Sequence, residues 1–439
     1  MDLQEIRKDR AGKVLQFSIP AVIAMVLTSL ITVADGFFMG NYVGKEGIAA
    51  VNLGLPIVYL YLGVGLMVSI GGVAMAGMAL GSNDQNGGCQ IFNQTIATAF
   101  VSTVLLSCIM AFCLEPVMSV LHGEGEVARC FQEYYRVMLL ELPVMVVNSS
   151  FGMFIRGEGN PRYYMKISIF QVVLNVLLDY LFSGCFHLGA AGIAAASLVS
   201  ALASLAAILW FFLGRAEVYR LGKFRFNGEI CRASFLNGSS EFIGEMSTGI
   251  AMFAYNLVIM RRFGADSVTA FTIVGYTAYM FSMVIIGFGQ GASPLISFCY
   301  GAGERLLAAD IRRTANRYVF GAGVAVFLLT EAVSGWYGGI FVASRQVQDM
   351  VSFGIRIFAV SFFFSGVNAI TSFYFTAIGK AFESAVISSL RGVVVLLFCI
   401  FTLPVLFGMA GVWMAAPVTE MATFGATGVF LQKEKSRLL

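Results

Sequence analysis

The sequence predicts an all-α membrane protein: twelve transmembrane helices in two six-helix bundles, related by a pseudo-two-fold axis along the membrane normal. Three observations predict it. The composition is too apolar for a water-facing surface, twelve apolar runs are long enough to cross a bilayer, and residues recur at one constant offset along the chain.

Of 439 residues, 58% are hydrophobic and 12% charged, where soluble domains carry about 25% charged residues. Mean hydropathy is +0.82. Lipid must therefore be the solvent for most of the outer surface. The net charge of +3 comes from Lys and Arg at segment ends, a pattern that excludes a nucleic-acid partner. The eight cysteines show no C-x-x-C spacing and read as small buried hydrophobes. His122 and His187 stand alone, so no histidine-based metal site is expected. The charged first thirteen residues read as a short helix or tail before an apolar run too long for a cleaved signal peptide.

A span needs about 20 apolar residues. The candidates are 14–40, 48–80, 91–114, 129–153, 164–183, 189–213, 233–260, 268–300, 314–335, 347–376, 384–404 and 411–431. Alternate loops differ sharply in basic residues. The set holding both termini carries 20 Lys and Arg; the opposite set carries five, namely Lys45, Arg129, Arg261, Arg262 and Arg345. That bias places both termini in the cytoplasm.

At an offset of 220, Gly44 falls on Gly264, Ala50 on Ala270, Gly71 on Gly291, Gly81 on Gly301, Asn148 on Asn368 and Gly159 on Gly379. After one deletion, Gly189 and Gly192 fall on Gly408 and Gly411. The chain thus divides into a first lobe, 1–213, a basic cytoplasmic linker, 214–232, and a second lobe, 233–439. Six spans return the chain to its starting side, so both lobes share one orientation. That arrangement is typical of alternating-access transporters, with the pathway between the halves.

No G-x-x-x-x-G-K-[ST], G-x-S-x-G or H-E-x-x-H sequence is present, so transport would be secondary or passive and an enzyme is not expected. A carboxylate inside a span is costly, and its presence points to function unless it sits in the head groups at a helix end. Asp35 lies roughly 9 Å inside span 1 at ~1.5 Å per residue. Asn175 and Asp179 share one face of span 5 at i, i+4, and Ser197 sits at similar depth in span 6. The offset places Asp35 on Tyr255 and Asp179 on Cys399, so the glycines repeat while these acids do not. Ion coupling is therefore expected in the first lobe. Glu245 lies roughly 18 Å into span 7, with Glu241 one turn shallower on the same face; Glu245 is the candidate for meeting a cationic substrate or a proton. Glu141 is deep in span 4, with Arg136 or Arg391 as partners if it forms a structural ion pair. Glu115 and Glu331 sit at span ends. Pro20, fifteen residues before Asp35, removes a helix hydrogen bond and reads as a hinge, a static kink or a helix start.

These residues resemble a family. Pro20, Asp35-Gly36, Phe38, Gly40, Gly44 and Ala50 in order are similar to the opening of multidrug and toxic compound extrusion (MATE) transporters. So are Asn175 with Asp179, and Gly189, Gly192 and Ala194 through Ser197. Gly287, Gln290-Gly291, Pro294 and Tyr300-Gly301, with Glu241 and Glu245 entering span 7, resemble the bacterial multidrug-exporter branch. The resemblance covers nearly the whole chain. It implies a cofactor-free antiporter in the bacterial inner (plasma) membrane, exporting organic, often cationic, compounds in exchange for H⁺ or Na⁺ through a V-shaped cleft. It assigns Asp35, Asn175, Asp179 and Ser197 to coupling, with a monovalent cation at the first three as one form. Glu245 and Gln290 are assigned to substrate or proton in the second lobe, and Pro20 to a hinge in span 1. Ser197 stands where some relatives have threonine. Span 10 carries only Asp349, at its outer end, which weighs against a second-lobe sodium site. A monomer is expected. The alternatives are a lipid-linked oligosaccharide flippase on the same scaffold, disfavoured by the mostly acidic intramembrane charges, a membrane-embedded acyltransferase, which would need a paired His and acid, and a non-transporting receptor.

Overall fold

The computed structural model describes residues 1–120 and 125–438, excluding the side chains of 117–120 and 437–438; His122 lies outside the described residues. No strand occurs among them. The helices are α1 (Leu3–Lys8), α2 (Arg10–Phe38), α3 (Lys45–Leu53), α4 (Leu55–Gly81), α5 (Gln85–Val120), α6 (Gly125–Gly157), α7 (Pro161–Asp179) and α8 (Gly189–Gly214). They continue as α9 (Gly228–Phe263), α10 (Ala265–Gly301), α11 (Arg305–Tyr337), α12 (Arg345–Ala359), α13 (Phe362–Ala377), α14 (Ala381–Ser389), α15 (Val395–Phe407) and α16 (Met409–Leu438). Wider π-turns extend α2 over Met39–Val43 and α7 over Tyr180–Cys185, and join α14 to α15 over Leu390–Val394.

Ten helical segments among the described residues are long and apolar enough to cross a membrane. The pair α12–α13, bent by 47°, would make an eleventh. The expected span 411–431 falls within α16, which is 30 residues long but not among these segments; its Glu420, Thr and Gly residues dilute its hydropathy. Two further expectations change in shape. The run 48–80 is not one helix: α3 and α4 break at Gly54, where a Cβ would lie 2.0 Å from the Tyr135 ring, and Pro56 opens α4. The run 347–376 is two helices meeting at Val360–Ser361.

Pro20 is neither a helix start nor a break. α2 begins ten residues earlier, where Asp9 accepts from the Gly12 amide at 2.8 Å, and it runs unbroken past the buried proline.

The two parts of the chain meet chiefly through α2 against α10 and α4 against α9 and α10. Glycines make these approaches possible. A Cβ on Gly81 would lie 2.1 Å from the Phe298 carbonyl oxygen, and a Cβ on Gly301 would lie 2.1 Å from that of Met78. Residue 298 is 220 beyond 78, so the contact is reciprocal. The ends brought together are those beside the N-terminus, where Arg7 pairs with Glu304 and Arg10 with Asp310 at 2.7 Å.

Within each part, corresponding helices pack alike: α2 on α7 and α9 on α14, α4 on α5 and α10 on α11, α6 on α8 and α13 on α16. Turn geometry also recurs: φ is 101° at Gly44 and 82° at Gly264, 99° at Gly159 and 77° at Gly379, 62° at Gly189 and 60° at Gly408.

Candidate functional site

The residues singled out in the first part of the chain converge. Asp35 comes from the last turns of α2, Asn175 and Asp179 from the end of α7, and Ser197 from two turns inside α8. Asn175 Nδ2 donates to Ser197 Oγ at 3.2 Å, and Ser197 Oγ donates to Asp35 Oδ2 at 3.2 Å. The carboxyls of Asp35 and Asp179 are close enough to act strongly on one another. Asn175 and Asp179 are fully buried and Ser197 nearly so. The π-turns that close α2 and α7 follow these residues directly, and such widened turns are frequent at functional sites.

The pocket is rich in acceptors and poor in donors. Asp35 Oδ1, Asn175 Oδ1 and both Asp179 carboxyl oxygens are buried without a hydrogen-bond partner. Two ionised carboxylates this close repel in a low dielectric, and buried acceptors without donors are costly. A proton shared by the pair, or a monovalent cation held by these oxygens, relieves both. The donor set therefore fits either. No group of three or more His, Cys, Asp or Glu suited to a metal ion occurs among the described residues.

Sequence reasoning left two neighbours out of this pocket. Tyr134 and Glu141, seven residues apart on one face of α6, both lie close enough to Asp35 to feel its charge. Glu141 is 5% exposed, with Oε2 unpartnered. Neither basic residue suggested for it is its partner: Arg391 bonds Glu420, and Arg136 lines a separate surface cavity beside Glu115. Depth and the i, i+7 spacing were the signals that could have joined Glu141 to the site.

In the second part, a cavity of about 420 Å³ lies among α9, α10, α13, α14 and α16. Glu241 and Glu245 line it from one face of α9, with Tyr255, Phe271, Phe358 and Phe373 among its apolar walls. Tyr59 and Tyr279 lie near Glu245. Among the described residues, neither glutamate has an ion-pair partner. The nearby Arg391, carried by the π-turn Leu390–Val394, is engaged elsewhere: its Nη2 and Nε donate to Glu420 Oε1 at 2.8 and 3.2 Å. Asn368 Nδ2 donates to the other Glu420 carboxyl oxygen at 2.7 Å. Glu420, an acid midway along an expected span, met the same criterion as Asp35 and was missed.

Gln290 is not in this cavity. It lies across the contact between the two parts, where Arg156 Nη2 donates to its Oε1 at 2.9 Å; Arg156 is 2% exposed and its guanidinium sits 5.1 Å from the Tyr164 ring centroid.

A polytopic helical bundle with buried, unneutralised acids is the architecture of a membrane transporter, and comparison with known proteins places it. The profile of the MatE family matches residues 20–181 and 243–401, so the chain belongs to that family of transporters and is not an enzyme. The multidrug export protein MepA of Staphylococcus saprophyticus is 23% identical over 414 residues, covering 92% of this chain and 90% of the relative. MepA of Staphylococcus aureus is 20% identical over 408 residues, covering 92% and 90%. The fold superposes at TM-score 0.91 on an outward-facing multidrug resistance MATE family transporter of the MOP superfamily, 22% identical, covering 98% of this chain and 96% of that one. It superposes equally, at 0.91, on a mutant of the Vibrio cholerae MATE transporter VcmN, 18% identical, covering 97% and 96%.

Proposed function

We propose that this protein is a secondary active antiporter that exports organic, often cationic, drugs or toxic compounds in exchange for H⁺ or Na⁺. The observation that carries the reading is the pocket of Asp35, Asn175, Asp179 and Ser197, where a half-buried Asp35 carboxylate with its Oδ1 buried lies beside the fully buried Asp179, and neither has a basic ion-pair partner among the described residues. Such a site changes charge when a proton or cation enters, and a charge change is what a coupling site must convert into shape.

Entry of the ion from outside removes the repulsion between Asp35 and Asp179. The hydrogen bonds that Ser197 and Asn175 make then re-form, and α2 shifts, with Pro20 as its hinge because the carbonyl of Gln16 lacks an amide partner. The shift closes the outer cleft and releases the drug. On the inner side the ion leaves and a new drug enters. Glu245, with Glu241, meets the positive charge of the substrate or a proton, and the surrounding aromatic faces add attraction for flat cations. The names of the MepA relatives support drugs as the substrate class.

The reading takes the chain as twelve spans, α12–α13 and α16 included, in an N-lobe (1–213) and a C-lobe (233–439) joined by the linker 214–232. The reciprocal Gly81 and Gly301 contacts support a pseudo-two-fold axis between the lobes. Lys and Arg counts support cytoplasmic termini in a bacterial inner membrane. With the lobes joined beside the termini by Arg7–Glu304, Arg10–Asp310 and Arg156–Gln290, the conformation is the outward one. A monomer contains the whole pathway.

The test is ethidium movement in liposomes under a pH gradient and then a sodium gradient, with Asp35→Asn alongside. Movement under one gradient, lost in the variant, is the expected result and names the ion. Folded protein that moves ethidium under neither gradient would overturn the drug-export reading and favour a lipid flippase. Intact transport by Asp35→Asn would remove the coupling role from this pocket.

A further inference from the structure

We propose that the cavity between α11, α13 and α16, on the side of the membrane that carries the termini, binds a phosphate-bearing anion through Arg312 and Tyr374. The cavity encloses about 170 Å³, and Arg313, Gln432, Glu434 and Lys435 also line it. Arg312 is 8% exposed and Tyr374 fully buried. Both carry a buried donor with no partner among the described residues, Arg312 Nε and the Tyr374 hydroxyl. Buried donors are seldom left unmatched. A guanidinium N–H and a hydroxyl converging on one space suit an anion with several acceptor oxygens. The guanidinium lies 5.2 Å from the centroid of the Tyr374 ring, a contact that positions it and uses none of its N–H groups.

The nearby acids are already engaged. Glu434, whose Oε2 has no hydrogen-bond partner, is ion-paired with Lys380, and Asp310 is shared between Arg10 at 2.7 Å and Arg313 at 2.9 Å. Among the described residues Arg312 has no ion pair, and Lys435 adds a further positive charge at the rim. The cavity therefore carries unneutralised positive charge.

The internal repeat separates packing from chemistry at this spot. Positions 312 and 374 lie 220 residues beyond Phe92 and Phe154, which are both fully buried and meet edge to face with centroids 4.9 Å apart. Two phenylalanines fill this junction in the first half. In the second half a charge and a hydroxyl replace them, and they face a cavity. Packing does not require that exchange; an anion does. Basic pockets between spanning helices on the side facing anionic lipid take phosphate head groups, and the same groups would hold free phosphate.

The full-length protein in a zwitterionic detergent would be melted with short-chain phosphatidylglycerol, with phosphatidylcholine of equal chain length, and with inorganic phosphate. Alongside wild type, the set includes Tyr374→Phe and the double variant Arg312→Phe/Tyr374→Phe, which rebuilds the first-half pair and should therefore fold. A rise in melting temperature with phosphatidylglycerol and not phosphatidylcholine is expected. Its midpoint concentration should rise about tenfold or more in the double variant, as expected for losing a charge-assisted hydrogen bond, and less in Tyr374→Phe. An equal rise with inorganic phosphate identifies a free anion as the ligand; no rise with inorganic phosphate identifies the lipid. No rise with either phosphate source, or the same rise in the double variant, overturns the proposal.

Discussion

Two asparagines do the same structural work in the two halves, and what surrounds them differs. Asn148 donates to the carbonyl of Ala201 at 2.8 Å, and Asn368 donates to the carbonyl of Glu420 at 2.9 Å. The residue whose backbone is used is an alanine in one half and a glutamate in the other. That glutamate is neutralised at once by Arg391 and bonded again by Asn368. In the first half the acids are elsewhere, on α2 and α7, and nothing basic reaches them. The scaffold is common to both halves. The charges are not: the first half brings Asp35 and Asp179 together from two different helices without compensation, whereas the second half pairs Glu420 and leaves Glu241 and Glu245 unpaired, among the described residues, along one helix face on a cavity wall. A neutralised acid braces a fold, whereas an uncompensated pair is available to bind an ion.

The largest effect should come from the uncompensated pair. Asp179→Asn keeps the volume and the reach to Asp35 but removes one of the two charges. If the pocket is the coupling site, gradient-driven efflux should fall at least about tenfold while the folded protein still binds drug, because the repulsion between the two carboxylates that an entering ion would relieve is gone. Efflux from liposomes and drug binding to detergent-purified protein check the two halves of that statement. Glu420→Gln, by contrast, should leave gradient coupling in place wherever the protein folds. If Glu420→Gln and Asp179→Asn abolish coupling alike, the contrast between a bracing acid and a coupling acid fails.

The next effect lies in the brace itself. Arg391→Met leaves Glu420 buried and only Asn368 to bond it, and breaking a buried pair by removing one partner costs about 3–5 kcal/mol. Arg391 retains 27% side-chain exposure, so the lower end of that range is expected. The double variant Arg391→Met/Glu420→Gln should recover part of the loss, since no charge is then stranded. Melting temperatures of the three variants form the cycle. A double variant no more stable than Arg391→Met would show that the pair is not the source of the cost.

How much of this was legible in the sequence depends on the kind of information each feature leaves there. The apolar runs declared the helices because lipid demands about 20 apolar residues whatever the tertiary context. Breaks inside them were harder to read: at Gly54, Pro56 was a local sign that was passed over, while the close approach of the Tyr135 ring, 81 positions on, that leaves no room for a Cβ there is tertiary. The clustering of Asp35, Asn175, Asp179 and Ser197 followed from depth, helix face and the family pattern together. Depth alone could not say that Glu141 turns towards that cluster or that Gln290 turns away from Glu245, because rotation about a helix axis is fixed by neighbours. Arg391 was offered only as one possible partner of Glu141, and its actual partner Glu420 was overlooked, although Glu420 stands in an expected span as plainly as Asp35.

A third prediction tests the shared scaffold. Gly81→Ala and Gly301→Ala each push a methyl group against a backbone carbonyl of the opposite half, at 2.1 Å in both cases. Neither carbonyl can move without its helix, so each change should cost about 1–3 kcal/mol of the contact that joins the two parts beside the termini. The two costs should be equal if the halves are related by a two-fold axis. Accessibility of a cysteine introduced at the end of α10 that lies beside the termini, measured in each variant, reads how far that contact opens. A large difference between the two glycines would mean that the reciprocal contact is local and the wider symmetry is not real.

The smallest effect concerns a turn that the two halves share in shape but not in use. Gly159 and Gly379 close matching turns, and the residues before them are Glu158 and Ile378. Glu158 accepts from the amides of Val218 and Tyr219, at 2.6 and 3.2 Å, tying the linker between the halves to the first of them; Ile378 simply packs. Burial pushes the Glu158 carboxyl above its ordinary range, with the amides of Val218 and Tyr219 opposing that shift only in part. An acid whose folded pKa is raised stays protonated in the folded chain after the unfolded chain has ionised, so stability falls as pH rises through that interval and is flat above it. Glu158→Gln keeps an acceptor for the linker amides and cannot ionise. It should melt slightly above the wild type at neutral pH, by less than about 1 kcal/mol, and the difference should vanish in acid. If the variant instead melts lower at neutral pH, the charge of Glu158 is worth more to the linker amides than its burial costs, and the linker is held to the first half by an ion rather than by an acceptor alone.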